Sequence, residues 1–289
     1  MDTMRTNSIP ELEKKANDIR IDIINMLLPA KSGHTAGPLG MADIFTALYF
    51  HTAIHDPKNP KWDGRDRIVL SNGHIAPVLY SALGEAGYFD KKLFSTLRKF
   101  GSPLQGHPHR GALPGVETSS GPLGQGLSQA CGMALAAKMD GKKHIIWCLT
   151  SDGEHEEGQT WEAVMLAAKY KLGNLVAIMD RNFIQIDGRT EDIMPLEPMG
   201  AKYKAFNWEV VEIDGNDMAD VVRALDGARD RAASGTATKP LMIIANTVPG
   251  KGVSFMENKF EWHGKTPNED EARKAIAELE RNYKKTKTA

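Results

Sequence analysis

One stretch of the sequence decides the fold: HIIWCLTSDGEHEEGQTWEAVMLAAKYKLGNLVAIMDRNFIQIDG, residues 144–188. Two apolar runs within it, His144–Leu149 and Asn174–Met179, have the length and composition of buried strands. The segment between them, Gly158–Leu172, has a helical pattern. A strand, a helix and a second strand in this order predict a right-handed βαβ unit with two parallel strands.

The same alternation continues on both sides of this unit. The further elements that the sequence predicts are a helix that starts in a capping box at Ser8–Glu11 and is stopped by Pro29 and the SGH turn at 32–34, a helix over Gly40–His51, a strand over Arg67–Leu70, a helix after Gly73, a strand over Glu209–Ile213, a helix over Asp217–Ala233, a strand over Leu241–Ala245 and a helix after Pro267. Repeated β-α-β order predicts the α/β class, with a mainly parallel sheet and helices on both faces. Since no strong domain boundary interrupts the pattern, we take residues 1–289 as a single domain.

The composition excludes several classes of protein. The 36 Lys and Arg residues balance 37 Asp and Glu, so there is neither the basic excess that binds nucleic acid nor the acidic excess of a disordered chain. Cys131 and Cys148 lie in apolar segments and are predicted to be buried free thiols. No apolar run approaches the ~20 residues that span a bilayer, and the N-terminus contains no apolar signal core. We therefore expect a cytoplasmic protein that does not contact membranes.

The segment from Gly101 to Gly126 has an unusual composition. It contains seven of the 27 glycines and four of the 15 prolines, whereas Arg110 and Glu117 are its only charged residues. Long segments of this kind inside compact domains are usually functional. The glycine order over 121–126, G-x-x-G-x-G, does not match the dinucleotide-binding fingerprint.

Asp152 and Asn182 each follow one strand of the βαβ unit. Because the carboxyl ends of neighbouring parallel strands open into one crevice, we expect both side chains there. Carboxylate and amide oxygens suit Mg²⁺ or Ca²⁺, while Gly153 and the helix N-terminus after it suit a diphosphate. Turn formation is the alternative role for each motif taken alone.

An acidic cluster, Glu154, Glu156 and Glu157, follows Asp152 and favours the functional interpretation. A solvated loop is the alternative for this cluster. For Glu162, on the next helix, the alternative is an exposed helical charge.

Four of the nine histidines stand next to a glycine. They are His34, His74, His107 and His263. Glycine removes bulk beside an imidazole and so helps present it to a ligand. A surface turn explains any one of these pairs, but four together predict imidazoles that bind sugar hydroxyls and move protons. The remaining histidines are predicted to be structural: His51, His55, His109, His144 and His155.

With these motifs, the sequence resembles the transketolase family. Asp152-Gly153 followed by Asn182 is similar to the thiamine diphosphate motif. The resemblance continues in chain order through SGHTAGPLGMADIF (32–45), LSNGH (70–74), GHP (106–108), SGPLGQGLS (120–128) and HGKTP (263–267). Two positions depart from the family pattern, since Ser151 replaces the first glycine of the usual Gly-Asp-Gly triplet and Thr35 stands where a proline is expected.

The resemblance implies a thiamine diphosphate-binding fold and a role for each matching residue. It implies that Asp152, Asn182 and the Ile184 carbonyl hold Mg²⁺ or Ca²⁺. The residues that it implies as contacts of thiamine diphosphate are His74, Gly121, Leu123, Gly153 and His263, together with Asp152 and Asn182. The residues that it implies as catalytic are His34, His74, His107 and His263, which face the substrate, and Glu157 and Glu162, which couple the cofactors across a subunit interface.

The resemblance also implies that half of the active site lies elsewhere. Family members carry a pyrimidine-binding domain after this one, which supplies the activating glutamate and the arginines for the substrate phosphate. Because the sequence ends where the linker to that domain begins, we expect the pyrimidine-binding and C-terminal domains to be absent. The chain then resembles the N-terminal subunit of a split transketolase, which pairs with a C-terminal subunit in a heterotetramer with two copies of each.

The implied reaction is the transfer of a two-carbon ketol unit from a ketose phosphate to an aldose phosphate. One alternative is a related enzyme with the same cofactor, acting on a sulfosugar or a branched pentulose phosphate. The other alternative is a noncatalytic scaffold subunit.

Overall fold

The computed structural model describes residue 6 and residues 8–286. Residues 1–5, 7 and 287–289 lie outside the described residues. The first two groups belong to the N-terminal segment that was predicted to contain no apolar signal core. The strands of the described chain are β1 (Arg67–Leu70), β2 (Ile146–Ser151), β3 (Leu175–Arg181), β4 (Ile184–Gln185), β5 (Gly188–Arg189), β6 (Glu209–Asp214) and β7 (Leu241–Asn246). Five of them form a parallel sheet in the order β1-β2-β3-β7-β6, while β4 and β5 form a small antiparallel hairpin.

Helices connect these strands. They are α1 (Ile9–Ala30), α2 (Ala36–Gly40), α3 (Ala42–Ala47), α4 (Ala76–Glu85), α5 (Gln125–Met139), α6 (Gly158–Lys169), α7 (Thr190–Ile193), α8 (Met199–Ala205), α9 (Met218–Ala233) and α10 (Glu269–Thr286). Among the described residues, none of these helices is long and apolar enough to cross a membrane.

Both faces of the sheet are covered, because alternate residues of each buried strand belong to different cores. Trp147 and Leu149 of β2 pack with residues of α1, α3, α4, α9 and α10. Ile146 and Cys148 pack on the opposite face with residues of α5, α6 and α8. The predicted α/β class with helices on both faces is therefore confirmed. Cys148 is also a buried free thiol, as is Cys131, in agreement with the sequence.

The start and end of α1 differ from the prediction. No side-chain hydrogen bond caps the helix at Ser8, so the predicted capping box is wrong. Instead, the Ser8 amide donates to Thr6 Oγ1 (3.1 Å), and the Thr6 hydroxyl donates to Glu11. Pro29 lies inside the last turn and does not stop the helix, which ends where Lys31 adopts a left-handed conformation (φ 51°). Pro29 has no amide to donate to the Asn25 carbonyl, so one intrahelical hydrogen bond is missing at this end, but the helix continues for one more residue.

The predicted helix over Gly40–His51 is three consecutive elements. Helix α2 begins before it, α3 follows, and a π-helical turn spans Leu48–Thr52. Nearly every residue of this region is buried. The sequence therefore lacks the two-sided pattern that would have marked the boundaries.

Because the five main strands are parallel, their carboxyl ends lie along one edge of the sheet. The residues that follow β1, β2, β3 and β7 at this edge are Ser71, Asp152, Asn182 and Thr247. Ligands of open parallel sheets bind in the crevice outside this edge.

Candidate active site

Asp152 lies at the centre of this edge and is almost fully buried. Its Oδ1 accepts a hydrogen bond from the Gly153 amide (2.8 Å), and its Oδ2 accepts from the Phe183 amide (2.8 Å). The loop after β3 is thereby held against the loop after β2, as the βαβ geometry predicts. Burial raises the pKa of Asp152, whereas the nearby Arg181 guanidinium opposes this increase.

Asn182 is buried and directly precedes Phe183, whose amide donates to this carboxylate. Its side-chain oxygen accepts from the Ile184 amide (3.0 Å), and its side-chain nitrogen donates to Asp180 (2.7 Å). These bonds fix the orientation of the amide group at the mouth of β3. The two oxygen-bearing side chains predicted from the sequence therefore lie in one crevice.

Arg181 is a buried residue of this site that the sequence did not single out. Its Nη1 donates to Asp152 Oδ2 (3.0 Å), and its guanidinium also contacts Glu191 and Glu197. It thus joins the strand ends to the segment after the β4–β5 hairpin. The carboxylates that partner Arg181 come from three separate segments, so no local sequence pattern predicts its burial.

Within the described part of the chain, no three His, Cys, Asp or Glu side chains converge to hold a metal ion. Asp152 and Asn182 together offer one carboxylate and one amide oxygen. Mg²⁺ sites of this kind are usually completed by water and by substrate phosphates. The donor set therefore suits a cation that arrives with a diphosphate, and does not form a metal cage made of protein ligands alone.

Glu154 connects the glycine-rich segment to the strand ends. Its Oε1 accepts from the Ser71 hydroxyl and the Gly124 amide (2.7 Å), and its Oε2 accepts from the Ser151 amide (2.8 Å). Because Glu154 is fully buried, the solvated-loop alternative is wrong for this residue. Glu156 and Glu157 are exposed, which agrees with that alternative.

Gly126 permits close packing of this segment against the end of β1. A Cβ atom on Gly126 would lie 2.4 Å from the Ser71 Cβ, so a larger residue at position 126 would displace the loop. The Gly126 amide uses this proximity to donate to Ser71 Oγ (3.0 Å). Close approach to the sheet edge therefore explains the glycine at position 126.

Three of the glycine-flanked histidines form a compact cluster. The ring centroids of His34 and His74 are 5.0 Å apart, those of His34 and His263 are 5.5 Å apart, and those of His74 and His263 are 5.3 Å apart. The three residues are widely separated in the sequence. The fold therefore brings together side chains that the sequence related only by their neighbouring glycines.

These imidazoles are neutral near pH 7. Burial is the main cause that lowers the pKa of His34 and of His263 to about 4 in each case, and burial also lowers the pKa of His74 well below its usual value. A neutral imidazole has one hydrogen-bond donor and one acceptor. The cluster can thus bind hydroxyl and carbonyl groups without carrying a positive charge.

His107, the fourth glycine-flanked histidine, lies beside Gly121. A Cβ atom on Gly121 would be 3.6 Å from the His107 ring, and burial lowers the pKa of His107 as well. The Leu123 carbonyl accepts from the Gln159 side chain (3.3 Å). The predicted residues of the glycine-rich segment therefore lie between the histidines and the start of α6.

Several buried polar atoms around the cluster have no hydrogen-bond partner among the described residues. The atoms are both side-chain atoms of Asn72, Oγ of Ser120, and Nδ1 of His34 and of His263. Unsatisfied buried polar groups are rare in native proteins and need an explanation. A polar ligand that enters between β1, the glycine-rich segment and the histidines would satisfy them, so the site suits a polar cofactor and substrate.

The remaining predicted residues lie outside this cluster. Glu157 and Glu162 are exposed at the start of α6 and on its outer face. His155 is buried, where its Nδ1 donates to the Ser151 carbonyl (2.9 Å) and its Nε2 accepts from the Tyr203 hydroxyl (2.7 Å). A histidine with both nitrogens satisfied in this way agrees with the structural role predicted for it.

Comparison with known proteins supports the same interpretation. The chain is 42% identical over 271 residues to a 6-deoxy-6-sulfo-D-fructose transketolase subunit from Clostridium sp. (strain MSTE9), covering 94% of this chain and 97% of that protein. It is 44% identical over 274 residues to an apulose-4-phosphate transketolase subunit from Actinobacillus succinogenes, covering 94% and 97%.

Among solved structures, the transketolase of Campylobacter jejuni superposes with a TM-score of 0.87 at 36% identity. The match covers 95% of this chain but only 43% of that transketolase. The family described as "Transketolase, thiamine diphosphate binding domain" matches residues 12–287. The chain therefore belongs to the transketolase family and forms its thiamine diphosphate-binding domain.

Proposed function

We propose that this chain is one half of a two-chain enzyme that transfers a two-carbon ketol unit from a ketose to an aldose. The observation that carries the proposal is the cluster of three neutral imidazoles, with ring centroids 5.0–5.5 Å apart, beside the sheet edge of Asp152. Neutral imidazoles provide the donors and acceptors needed for sugar hydroxyls. A scaffold subunit would need neither this cluster nor the unsatisfied polar atoms around it.

We assign the cofactor as thiamine diphosphate, bound through Mg²⁺ or Ca²⁺. Asp152, Asn182 and the Ile184 carbonyl would hold the cation, while Gly153, Gly121 and Leu123 would contact the cofactor. When bound, thiamine diphosphate supplies the electron sink that allows a carbon–carbon bond next to a carbonyl to break. Support for this assignment comes from the oxygen donors at the strand ends and from the buried Asn72 amide without a partner.

The histidines would orient the substrate. His34 and His107 would bind its hydroxyls, while His74 and His263 would lie closest to the reacting atoms and also contact the cofactor. Because each has a lowered pKa, each imidazole is neutral near pH 7, with one ring nitrogen that donates a hydrogen bond and one that accepts. Glu157 and Glu162, which are exposed, would act at the interface between subunits.

The second half of the active site would come from another polypeptide. In this proposal residues 1–289 are a single diphosphate-binding domain, and a pyrimidine-binding chain completes a heterotetramer with two copies of each. Support comes from two relatives that are named as transketolase subunits and that this chain matches over 97% of their length. A cytoplasmic location stays a prediction of the sequence.

A sulfosugar or a branched pentulose phosphate is the second candidate for the donor. The relatives named above are subunits of a sulfofructose transketolase and of an apulose-4-phosphate transketolase, at 42% and 44% identity. This similarity favours an anionic ketose but leaves the sugar open. A donor screen must therefore include an ordinary ketose phosphate, a sulfosugar and a branched pentulose phosphate.

The test is co-purification of this chain with a candidate pyrimidine-binding chain from the same organism, followed by assays of ketol transfer. D-fructose 6-phosphate, 6-deoxy-6-sulfo-D-fructose and apulose 4-phosphate would each be offered with an aldose phosphate, and new ketoses detected by mass spectrometry. We expect the assembled enzyme to transfer a two-carbon unit from at least one donor and the chain alone to transfer none. Full activity of the chain alone would overturn the two-chain proposal, and no transfer from any ketose would overturn the reaction.

A further inference from the structure

The rim of the histidine cluster carries an arginine that the proposed function does not use. Arg98 is exposed, and its Nη1 donates to Ser32 Oγ (3.0 Å). Among the described residues, no carboxylate lies within ion-pair distance of its guanidinium. Other arginines close to the sheet do have such partners, for example Arg181 with Asp152 and Arg229 with Asp66.

The structure holds this side chain in a defined position. Arg98 has a left-handed backbone conformation (φ 59°), which costs free energy for a residue other than glycine. Its amide donates to the Leu104 carbonyl (2.9 Å) and closes the loop between them. The surrounding contacts thus maintain a backbone conformation that is unfavourable for a residue other than glycine.

The glycines that precede two of the catalytic candidates make room for the guanidinium. A Cβ atom on Gly106 would lie 2.9 Å from Arg98 Cζ, and one on Gly33 would lie 3.6 Å from Arg98 Nε. The guanidinium therefore lies directly beside the backbone of the loops that carry His34 and His107. The neighbouring glycines present the histidines and also admit a positive charge next to them.

This charge is uncompensated in its surroundings. After burial, the guanidinium is a further cause of the lowered pKa of His34 and of His107, so both rings are neutral and Arg98 carries the positive charge beside them. Neutral donors and one fixed guanidinium form a region that attracts a negative group. A guanidinium presents a planar set of donors that matches tetrahedral oxyanions such as phosphate and sulfonate.

We propose that Arg98 forms an anion subsite at the rim of the histidine cluster and binds the phosphate or sulfonate at the far end of the sugar substrate. The inference rests on the proposed function and names its substrate class, sugars that carry a terminal tetrahedral oxyanion. The sugar hydroxyls lie along His34 and His107, and the charged end reaches the guanidinium.

The first experiment compares substrates with and without the charged group in the assembled enzyme. For Arg98→Gln we expect the KM of D-ribose 5-phosphate as acceptor to rise roughly 10- to 100-fold, because hydrogen bonds to charged groups are lost. The KM of unphosphorylated D-ribose should stay nearly constant. Arg98→Lys should recover part of the effect because it keeps the charge but not the planar donors.

The adjacent exposed residue provides the matched control. Lys99→Gln removes one positive charge from the same loop and should leave both KM values unchanged. An equal increase in the KM of D-ribose and of D-ribose 5-phosphate in Arg98→Gln would overturn the subsite. Comparison of D-fructose 6-phosphate with 6-deoxy-6-sulfo-D-fructose as donors tells which of the two anions Arg98 favours.

A second measurement does not depend on turnover. Phenylglyoxal modifies accessible arginines, and peptide mass spectrometry follows the modification of Arg98 in the assembled enzyme. We expect D-ribose 5-phosphate to slow this modification saturably and D-ribose to leave it unchanged. Arg110, another exposed arginine of the glycine-rich segment, is the internal control and should react at the same rate throughout.

The two measurements separate failure of the subsite from failure of the proposed reaction. Protection of Arg98 without ketol transfer from any ketose would support the anion subsite and overturn the reaction. Ketol transfer without protection of Arg98 would overturn the subsite alone.

Discussion

The hydroxyl of Thr35 donates a hydrogen bond to the carbonyl oxygen of Lys265 across 2.6 Å. Thr35 is fully buried and directly follows His34, while Lys265 lies two residues after His263. The bond therefore ties together the two loops whose imidazole rings are 5.5 Å apart. A proline, which the family pattern leads us to expect at position 35, has no hydroxyl and cannot form this connection.

Replacement of this hydroxyl tests the connection. Thr35→Val keeps the side-chain shape, and we expect it to lower the free energy of unfolding by about 1 kcal/mol, as the loss of one hydrogen bond does. Ketol transfer should slow as well, because the two histidine loops lose a direct link. Urea unfolding and steady-state kinetics of the assembled enzyme measure the two effects.

Thr46 provides a matched control in the same core. It is fully buried, but its hydroxyl has no hydrogen-bond partner in the described structure. Thr46→Val should therefore be neutral or slightly stabilising. Equal destabilisation by the two variants would show that the Thr35–Lys265 bond contributes nothing specific.

The buried carboxylate of Glu154 gives a second prediction. In Glu154→Gln one oxygen is replaced by an NH₂ group, which cannot accept from the Ser71 hydroxyl and Gly124 amide or from the Ser151 amide. We expect a loss of about 2–3 kcal/mol in the free energy of unfolding and faster hydrogen exchange in the glycine-rich segment. The exposed Glu156 is the control, since Glu156→Gln should change the free energy by less than about 0.5 kcal/mol.

The acidic cluster, in which Glu154 is buried while Glu156 and Glu157 are exposed, shows what the sequence can and cannot predict. The strands were predictable because β2 and β3 are continuous apolar runs, and their parallel order follows from a single crossover helix. The positions of Asp152 and Asn182 follow from that order. The burial of Glu154 does not, because its donors come from β1, from the glycine-rich segment and from its own loop.

Long-range contacts also explain the other differences between the sequence-based predictions and the structure. The boundaries of α2 and α3 were missed because nearly all their residues are buried, which removes the polar face that marks a helix in the sequence. Arg181 was missed because a charged residue is normally exposed, and its partners Asp152, Glu191 and Glu197 meet only in the folded chain. The histidine cluster was anticipated as a set, but its distances could come only from the structure.

Asp152 gives a third prediction. Asp152→Asn keeps the shape of the side chain but removes its charge, so we expect thiamine diphosphate to lose its Mg²⁺-dependent affinity. Calorimetric titration with thiamine diphosphate, in the presence of Mg²⁺ and of EDTA, measures this dependence. Because no three His, Cys, Asp or Glu side chains of the described chain converge on a metal, Mg²⁺ alone should bind weakly to the wild-type protein.

Asp187 is the control for this titration, because it is exposed on the turn between β4 and β5. Asp187→Asn removes one charge close to the site and should leave the Mg²⁺-dependent affinity intact. Unchanged affinity in Asp152→Asn would remove Asp152 from the metal site.

The last prediction concerns the dependence of stability on pH. Burial lowers the pKa of His263 from 6.5 to about 4, so between these values the unfolded chain binds more protons at this residue than the folded chain does. The contribution of His263 is therefore unaffected above pH 6.5 and becomes destabilising as the pH falls toward 4, by up to about 1.4 kcal/mol per pH unit. Asp180 acts in the opposite direction, because burial raises its pKa to about 7 and favours the folded state at low pH.

A difference measurement removes the contribution of opposing groups such as Asp180, although loss of His263 also removes one cause of the lowered pKa of His34 and of His74. The free energy of unfolding of wild type minus that of His263→Gln should be constant above pH 6.5 and should decrease as the pH is lowered toward 4, because only the wild type carries the buried imidazole. Thr46→Val, which removes no titratable group, should show a constant difference from wild type over the same range. A difference for His263→Gln that also stays constant would mean that the imidazole is as readily protonated in the folded protein as in the unfolded chain, and the neutral histidine cluster would have to be abandoned.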